Sequence, residues 1–240
     1  MIMAKKIFLD AGHGGADSGA VKYVKESEVN IKVVNYMAAH LESSYECAVK
    51  KDITADSINT VVGRANSCGA DLFISIHFNA GGGDGYEALV YGSGNQKLGK
   101  CFEKHVKALG QNSRGVKYRP DLGVLRLTKM PAVLNEIAFV DNKTDIKDWD
   151  EAHELKKIGI ALAEAAAEWL DLPAKGTRYK ALMDLNFRKT PDLDGAVIGT
   201  VKKGTVLVGT VDKNGWLKTT HGGKAGYVRQ KGQKVYMTKL

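Results

Sequence analysis

Long apolar runs are missing from this chain. No segment approaches the length needed to cross a bilayer, and the opening Met1-Ile-Met-Ala-Lys-Lys6 leads straight into a short apolar run with no h-region or cleavage site. The expectation is synthesis in the cytoplasm without a signal peptide, and no membrane insertion. Cysteine is scarce as well: Cys47, Cys68 and Cys101 are an odd number with no short metal-type spacing, which argues against a disulfide framework and leaves reduced packing residues. Any metal must then be held by histidine and carboxylate. Long repeats and low-complexity tracts are also absent. A hydrophobic content of 44% over 240 residues is that of a folded chain with room for one catalytic domain and a small module.

Charge is present but uneven. Lys plus Arg against Asp plus Glu is 22 against 23 over residues 1–175, net −1, and 13 against 4 over residues 176–240, net +9. The whole basic excess sits in the tail. Such a module suits an acidic partner surface, whether nucleic acid, anionic lipid or a phosphate-bearing wall polymer.

Residues 1 to 172 alternate short apolar runs with helical-period segments, the pattern of an α/β domain whose helices pack on a sheet. Strands are predicted over Ile7–Asp10, Leu72–Phe78, Tyr86–Tyr91 and Ala132–Phe139, and helices over Glu26–Leu41, Ile58–Cys68, Gln96–Leu109 and His153–Leu170. After Leu172-Pro-Ala-Lys-Gly-Thr177 the helical periods stop. Glycine-punctuated runs follow at Ala196–Val201, Thr205–Val211, Trp216–Thr219 and Gly226–Val228, with a turn at Asp212-Lys-Asn-Gly215, which reads as a small all-β module. The boundary falls near Ala174.

Two histidines and two glutamates stand at the ends of, or inside, the apolar runs: His13 in Asp10-Ala-Gly-His-Gly-Gly15, Glu26 opening a helix, His77 closing Phe73-Ile-Ser-Ile-His77, and Glu136 within Ala132-Val-Leu-Asn-Glu-Ile-Ala-Phe139. Hydrolytic zinc commonly takes three nitrogen or oxygen ligands and leaves a fourth position for water, with a carboxylate nearby to take a proton. These residues have the types for both tasks. A helix advances about 100° per residue, which puts Glu26 within about 20° of the Val29, Val33, Met37 and Leu41 stripe and turns Glu28 to solvent. Each residue also has a plainer reading. Glu26 suits a first-turn glutamate stabilised by the helix dipole, His13 a turn histidine after a strand, and His77 a satisfied core histidine. Glu136 interrupts an apolar strand, where burial would raise its pKa for acid and base work; a buried salt bridge to Arg64 or Arg126 is the alternative. His40, His105, His153 and His221 read as structural or solvated.

The ordered motifs resemble the zinc-dependent N-acetylmuramoyl-L-alanine amidases of the type 3 family, found in bacterial autolysins and phage endolysins. The similarity runs through Asp10-Ala-Gly-His-Gly-Gly15 with Asp17-Ser-Gly-Ala20, then Glu26 with Val29 and Ile31, then Arg64-Ala-Asn66 and Gly69-Ala-Asp-Leu-Phe-Ile-Ser-Ile-His-Phe-Asn-Ala80. It continues in Pro131-Ala-Val-Leu-Asn-Glu-Ile-Ala-Phe139, with Asn142 and Asp145 beyond. It covers nearly all of residues 5 to 170. The chain departs from the family pattern at Ala11, where proline is usual, and at Lys25, which lacks the neighbouring glycine often seen before that glutamate.

The resemblance implies a mixed twisted sheet flanked by helices, one zinc ion per catalytic domain held by His13, Glu26 and His77, and Glu136 as the catalytic carboxylate. The implied reaction is hydrolysis, by zinc-activated water, of the amide between the muramyl lactyl group and L-alanine of peptidoglycan. Asn79, just beyond His77, is a candidate for substrate binding. The tail resembles a bacterial SH3-like wall-binding barrel through Leu185-Asn-Phe-Arg188, Pro191, Val197-Ile-Gly199, Lys203-Gly204, Asn214-Gly-Trp-Leu-Lys218 and Gly226-Tyr-Val228. The domains expected are 1–173 and 178–240. Trp216, Tyr227 and Tyr179 are candidates for a wall-binding groove, and filling a small core is the alternative for Trp216 and Tyr227. The basic tail then suits teichoic-acid-like polymers, and no motif supports nucleic-acid recognition.

The lysis role implied is that of a phage or prophage endolysin, or a mother-cell lysis enzyme, acting on the wall after release. The same zinc chemistry would serve a peptidase on stem peptides or a deacetylase. A non-catalytic wall-binding protein on a retired hydrolase scaffold is a third reading, against which the presence of all four site residues counts.

Overall fold

A computed structural model describes residues 4–54 and 56–240. The chain divides into two units, with the division between Leu172 and Pro173. The first unit runs β1 (Lys5–Ala11), α1 (Glu26–Ser44), β2 (Cys47–Asp52), α2 (Ile58–Ser67), β3 (Leu72–Asn79), β4 (Tyr86–Val90), α3 (Gln96–Lys107), β5 (Ser113–Tyr118), α4 (Gly123–Arg126), β6 (Ala132–Phe139), α5 (Lys143–Ile146) and α6 (Ala152–Leu170). Its six strands lie in the order β2-β1-β3-β6-β4-β5. The sheet is mixed, as expected: β4 runs antiparallel to β6, and the other pairs are parallel.

Alternation along the strands sorts side chains to two faces. Ile7, Leu9, Leu72, Ile74, Ile76, Val133 and Ile137 join Val33, Met37, Leu41, Phe102 and Leu162 in the larger core, beneath α1, α3 and α6. Phe8, Phe73, Leu89 and Leu134 face the other way and pack with Val61, Ala65 and Leu125 of α2 and α4. Asp10, His77, Glu136 and Glu87 have the parity of this second face. From β1 the chain crosses to β2 on one side and then to β3 on the other. Such a switch point opens a crevice at the carboxyl ends of the strands.

Helix α1 continues to Ser44, past the expected Leu41, and ends where Tyr45 turns extended. Helix α6 stops at Asp171, which takes the left-handed conformation with φ 49° ahead of Pro173.

The second unit contains β7 (Thr177–Ala181), β8 (Leu185–Arg188), β9 (Val197–Val201), β10 (Val206–Val211), β11 (Trp216–His221), β12 (Lys224–Arg229) and β13 (Met237–Lys239). They form an antiparallel sheet in the order β13-β7-β10-β11-β12-β8-β9, around Ala181, Leu185, Phe187, Val201, Leu207, Leu217, Val228 and Met237. The turn at Asp212–Gly215 forms: Asp212 Oδ1 accepts the N–H groups of Asn214 and Trp216 at 2.8 and 3.0 Å. Gly215 sits at φ 81°, a conformation that glycine adopts without strain.

Candidate metal centre

His13, Glu26 and His77 come together. One ligand atom from each lies within 4.8 Å of the others. His13 is carried on the loop leaving β1, in the left-handed conformation at φ 62°, a strained state for a side-chain-bearing residue of the kind found at functional sites. The loop is fixed by Asn30 of α1, whose Nδ2 donates to the Gly12 carbonyl at 2.8 Å. At Gly12 a Cβ would lie 2.0–2.6 Å from the His77 ring, so only glycine leaves space for that imidazole.

Glu26 is buried on the inner stripe of α1, while Glu28 is exposed. Its Oε1 lies 3.0 Å from His77 Nδ1 and 3.4 Å from His13 Nε2, and accepts from Phe78 N at 3.2 Å. Its Oε2 accepts from Ala20 N at 2.8 Å. No side chain caps α1 at Lys25; the approach is instead tied by the backbone bond from Glu26 N to the Ala20 carbonyl at 3.0 Å. Gly19, at φ 62°, packs against Glu26 and His13, where an added Cβ would lie 2.5 Å from Glu26 Oε2.

The electrostatics follow from this clustering. Burial alone would raise the Glu26 carboxyl, but bonds from His13, His77 and Ala20 hold it far below the usual carboxylate range. The bond to Glu26 pushes His13 up to about 9, against burial, with Asp17 assisting. Burial depresses His77, and Glu26 and the charge of Glu136 more than compensate, so it too is raised. The outer partner of His13 is Asp17, whose Oδ2 lies 2.8 Å from Nδ1 and orients the ring.

Glu136 stands beside His77 in the β3–β6 register, on the same face of the sheet. Its Oε2 is buried and has no hydrogen-bond partner among the described residues. Burial pushes its carboxyl up to about 7, with Glu26 and Glu87 adding to the effect and His77 opposing it. The salt-bridge alternative is not realised through Arg64, which pairs with Asp52 and Asp56 at 2.7 and 2.5 Å, and no ion pair joins Arg126 to Glu136 among the described residues. A cleft opens next to these groups, with His13, His77, Asp10 and Asp17 on one side and Ile58, Val61, Leu122, Val124 and Leu134 as an apolar wall.

Asn79 lies at the end of β3, with Nδ2 3.5 Å from Glu87 Oε2. Trp216 is only 3% exposed and lies under the Arg229 guanidinium, 5.0 Å from the ring centre, so it fills the interior instead of offering a ring to solvent. Tyr227 and Tyr179 are half-buried. The sequence assigned no role to Asp17, which it offered only within a motif, nor to Glu87, Arg114 and Lys117. Glu87 carries the signal that singled out Glu136: one charge inside an apolar strand.

A second group, Cys101, His105 and Glu168, is also compact. There Lys104 Nζ donates to both oxygens of Glu168 at 2.5 and 2.6 Å, and the cluster is an ion-pair network between α3 and α6. All three cysteines are free thiols.

Comparison with known proteins shows what the chain is similar to. The family model for N-acetylmuramoyl-L-alanine amidases matches residues 7–168, and that for bacterial SH3 domains matches residues 184–232. The endolysin of Bacillus phage SPP1 is 40% identical over 193 residues, covering 72% of this chain and 69% of the phage protein. The amidase CwlM of Bacillus licheniformis is 32% identical over 208 residues, covering 83% and 82%. Among solved structures, the catalytic domain of the amidase CwlV from Bacillus (Paenibacillus) polymyxa var. colistinus superposes with a TM-score of 0.67 at 27% identity, over 70% of this chain and 99% of that one.

Proposed function

The chain belongs to the N-acetylmuramoyl-L-alanine amidase family and carries a bacterial SH3 domain, and from that premise we propose that it hydrolyses the amide between the muramyl lactyl group and L-alanine using zinc held by His13, Glu26 and His77. The donor set fits. Two imidazole nitrogens and one carboxylate oxygen, mutually within 4.8 Å, are the ligand types that catalytic zinc takes while keeping a position open. Bound there, zinc supplies Lewis-acid polarisation of the scissile carbonyl and a lowered pKa for water.

The chain's own residues do the rest. Glu136 Oε2 takes the proton of the attacking water and passes it to the leaving nitrogen, so the new L-alanine amine departs neutral. Its raised pKa, about 7, suits both halves of that transfer, since a group near the working pH accepts and returns a proton with little bias. Glu26, fixed by Phe78 N and Ala20 N, and His13, oriented by Asp17, arrive pre-aligned. Asn79, two residues beyond His77 at the end of β3, is the candidate for hydrogen-bonding substrate. The first unit, about residues 1–173, is then the catalytic domain and residues 178–240 the wall-binding one. The net +9 of the latter suits anionic wall polymers. The similarity to a phage endolysin supports a role in host lysis.

The observation that carries this reading is the buried, unpartnered Glu136 Oε2 beside the three ligands. Glu136→Gln keeps shape and removes the base, and the expected result is a loss of about 10²–10⁴ in kcat with zinc content unchanged. Digestion of Gram-positive sacculi by the zinc-loaded wild type should release new N-terminal L-alanine without new reducing sugar ends. Wild-type rates in the mutant would overturn the role of Glu136, and new ends elsewhere in the stem would move the cleaved bond.

A further inference from the structure

Glu87 stands directly opposite Glu136 in the β4–β6 register and is 5% exposed. Two cations from edge strand β5 converge on its Oε1: Arg114 through Nε, and Lys117 through Nζ at 2.5 Å. One cation suffices to neutralise a buried carboxylate. The second leaves a surplus positive charge, and the two side chains remain 43% and 40% exposed. Arg114 engages Glu87 through Nε alone, so its two terminal nitrogens make no hydrogen bond among the described residues. The Phe139 ring lies 5.3 Å from the guanidinium, within cation–π range. Glu87 and β5 thus hold a guanidinium and an ammonium side by side, both partly exposed.

Their place in the sheet says what they face. The order β1-β3-β6-β4-β5 puts the ligand strands first, then Glu136, then Glu87, then the cations. On the amidase reading above Glu136 serves the leaving nitrogen, and a peptide running from it along the strand order passes over β4 and β5. Adjacent strands are about 4.8 Å apart, and an extended peptide advances about 3.4 Å per residue. Cation heads that reach back to Glu87, one strand beyond Glu136, therefore meet the second residue of the leaving peptide.

We propose that Arg114 and Lys117, clamped by Glu87, form a carboxylate-binding subsite for the second residue of the stem peptide, so that the enzyme selects stems whose second residue keeps a free carboxylate over stems in which it is amidated. A guanidinium with two open N–H groups matches a carboxylate in a bidentate fork. An amide in the same place carries no charge and brings its own donors against the cations. This subsite rests on the amidase reading above.

The test is steady-state kinetics of the zinc-loaded full chain on two soluble muramyl peptides that differ only at that carboxylate, free or amidated. A charge-assisted hydrogen bond contributes about 1.5–3 kcal/mol, which is about tenfold or more in kcat/KM for the free acid. The difference should appear in KM. In Arg114→Gln and in Lys117→Met the two substrates should converge, and Arg114→Lys, which restores a cation, should recover part of the preference. Equal kcat/KM for the two substrates in the wild type, or full preference retained in both neutral variants, would overturn the subsite. If the wild type frees no L-alanine amino terminus from either substrate, the amidase reading itself falls and takes the subsite with it.

Discussion

Glu26 holds His13 in a charge state that metal loading at the proposed site must undo. In the metal-free protein His13 is raised to about 9, so at pH 7 it carries a proton, and His77 is shifted in the same direction. A group raised in the folded state adds stability below its unfolded value, and that contribution fades as pH climbs through about 9. Zinc at the proposed site needs both rings neutral, so binding must expel the His13 proton. Calorimetric zinc titrations at pH 7 in two buffers of different ionisation enthalpy should show proton release, and zinc affinity should rise steadily from pH 6 to pH 9. Buffer-independent heats would contradict this electrostatic picture. Much at this scale was legible beforehand. Helical angle alone separated Glu26 from Glu28, because one buried face per helix is a strong constraint. Asp17 was not legible as the partner of His13, because a bond across a left-handed turn depends on backbone angles that residue type does not encode.

Helix α5 has two turns' worth of work in a single turn. Asn142 caps it, its Oδ1 accepting from Thr144 N and Asp145 N at 3.0 and 3.3 Å. Asp145 then reaches into the sheet, where it accepts from Gly85 N, Phe139 N and Gln111 Nε2, each at 2.8 Å. This ties the entry to β4 to the end of β6. Asp145→Ala would strand three buried donors, at about 1–3 kcal/mol each, and the denaturant midpoint of the catalytic unit should drop accordingly; a midpoint within error of wild type would show the donors find other partners. The central strands β1, β3, β4 and β6 were visible in sequence because burial on both faces leaves an apolar run. Edge strands β2 and β5 were not, since their lysines, arginine and glycine obey the needs of an exposed edge. In the tail β7, β8 and β13 escaped for a related reason: short strands covered on one face alternate too briefly to stand out from loops.

The net charge of the whole molecule, +8, hides a neutral catalyst and a strongly basic tail. Electrostatic attraction of exposed groups weakens as the screening length falls from about 10 Å at 0.1 M salt to about 3 Å at 1 M. Adsorption of the full chain to anionic sacculi should therefore fall steeply with salt, while turnover of a small soluble muramyl peptide changes much less. Parallel loss of both would show that the tail's charge is not what retains the protein on the wall. The order of the six catalytic strands has one more outcome. The sheet falls into β2-β1-β3 and β4-β5 until β6 enters between them, and β6 is the last of the six to leave the ribosome. A nascent chain thus delivers all of His13, Glu26 and His77 before Glu136, and the strand bearing Glu136 is the keystone that joins the two halves. The residue proposed as the base is thus the last of the four to be made, on the strand that completes the sheet.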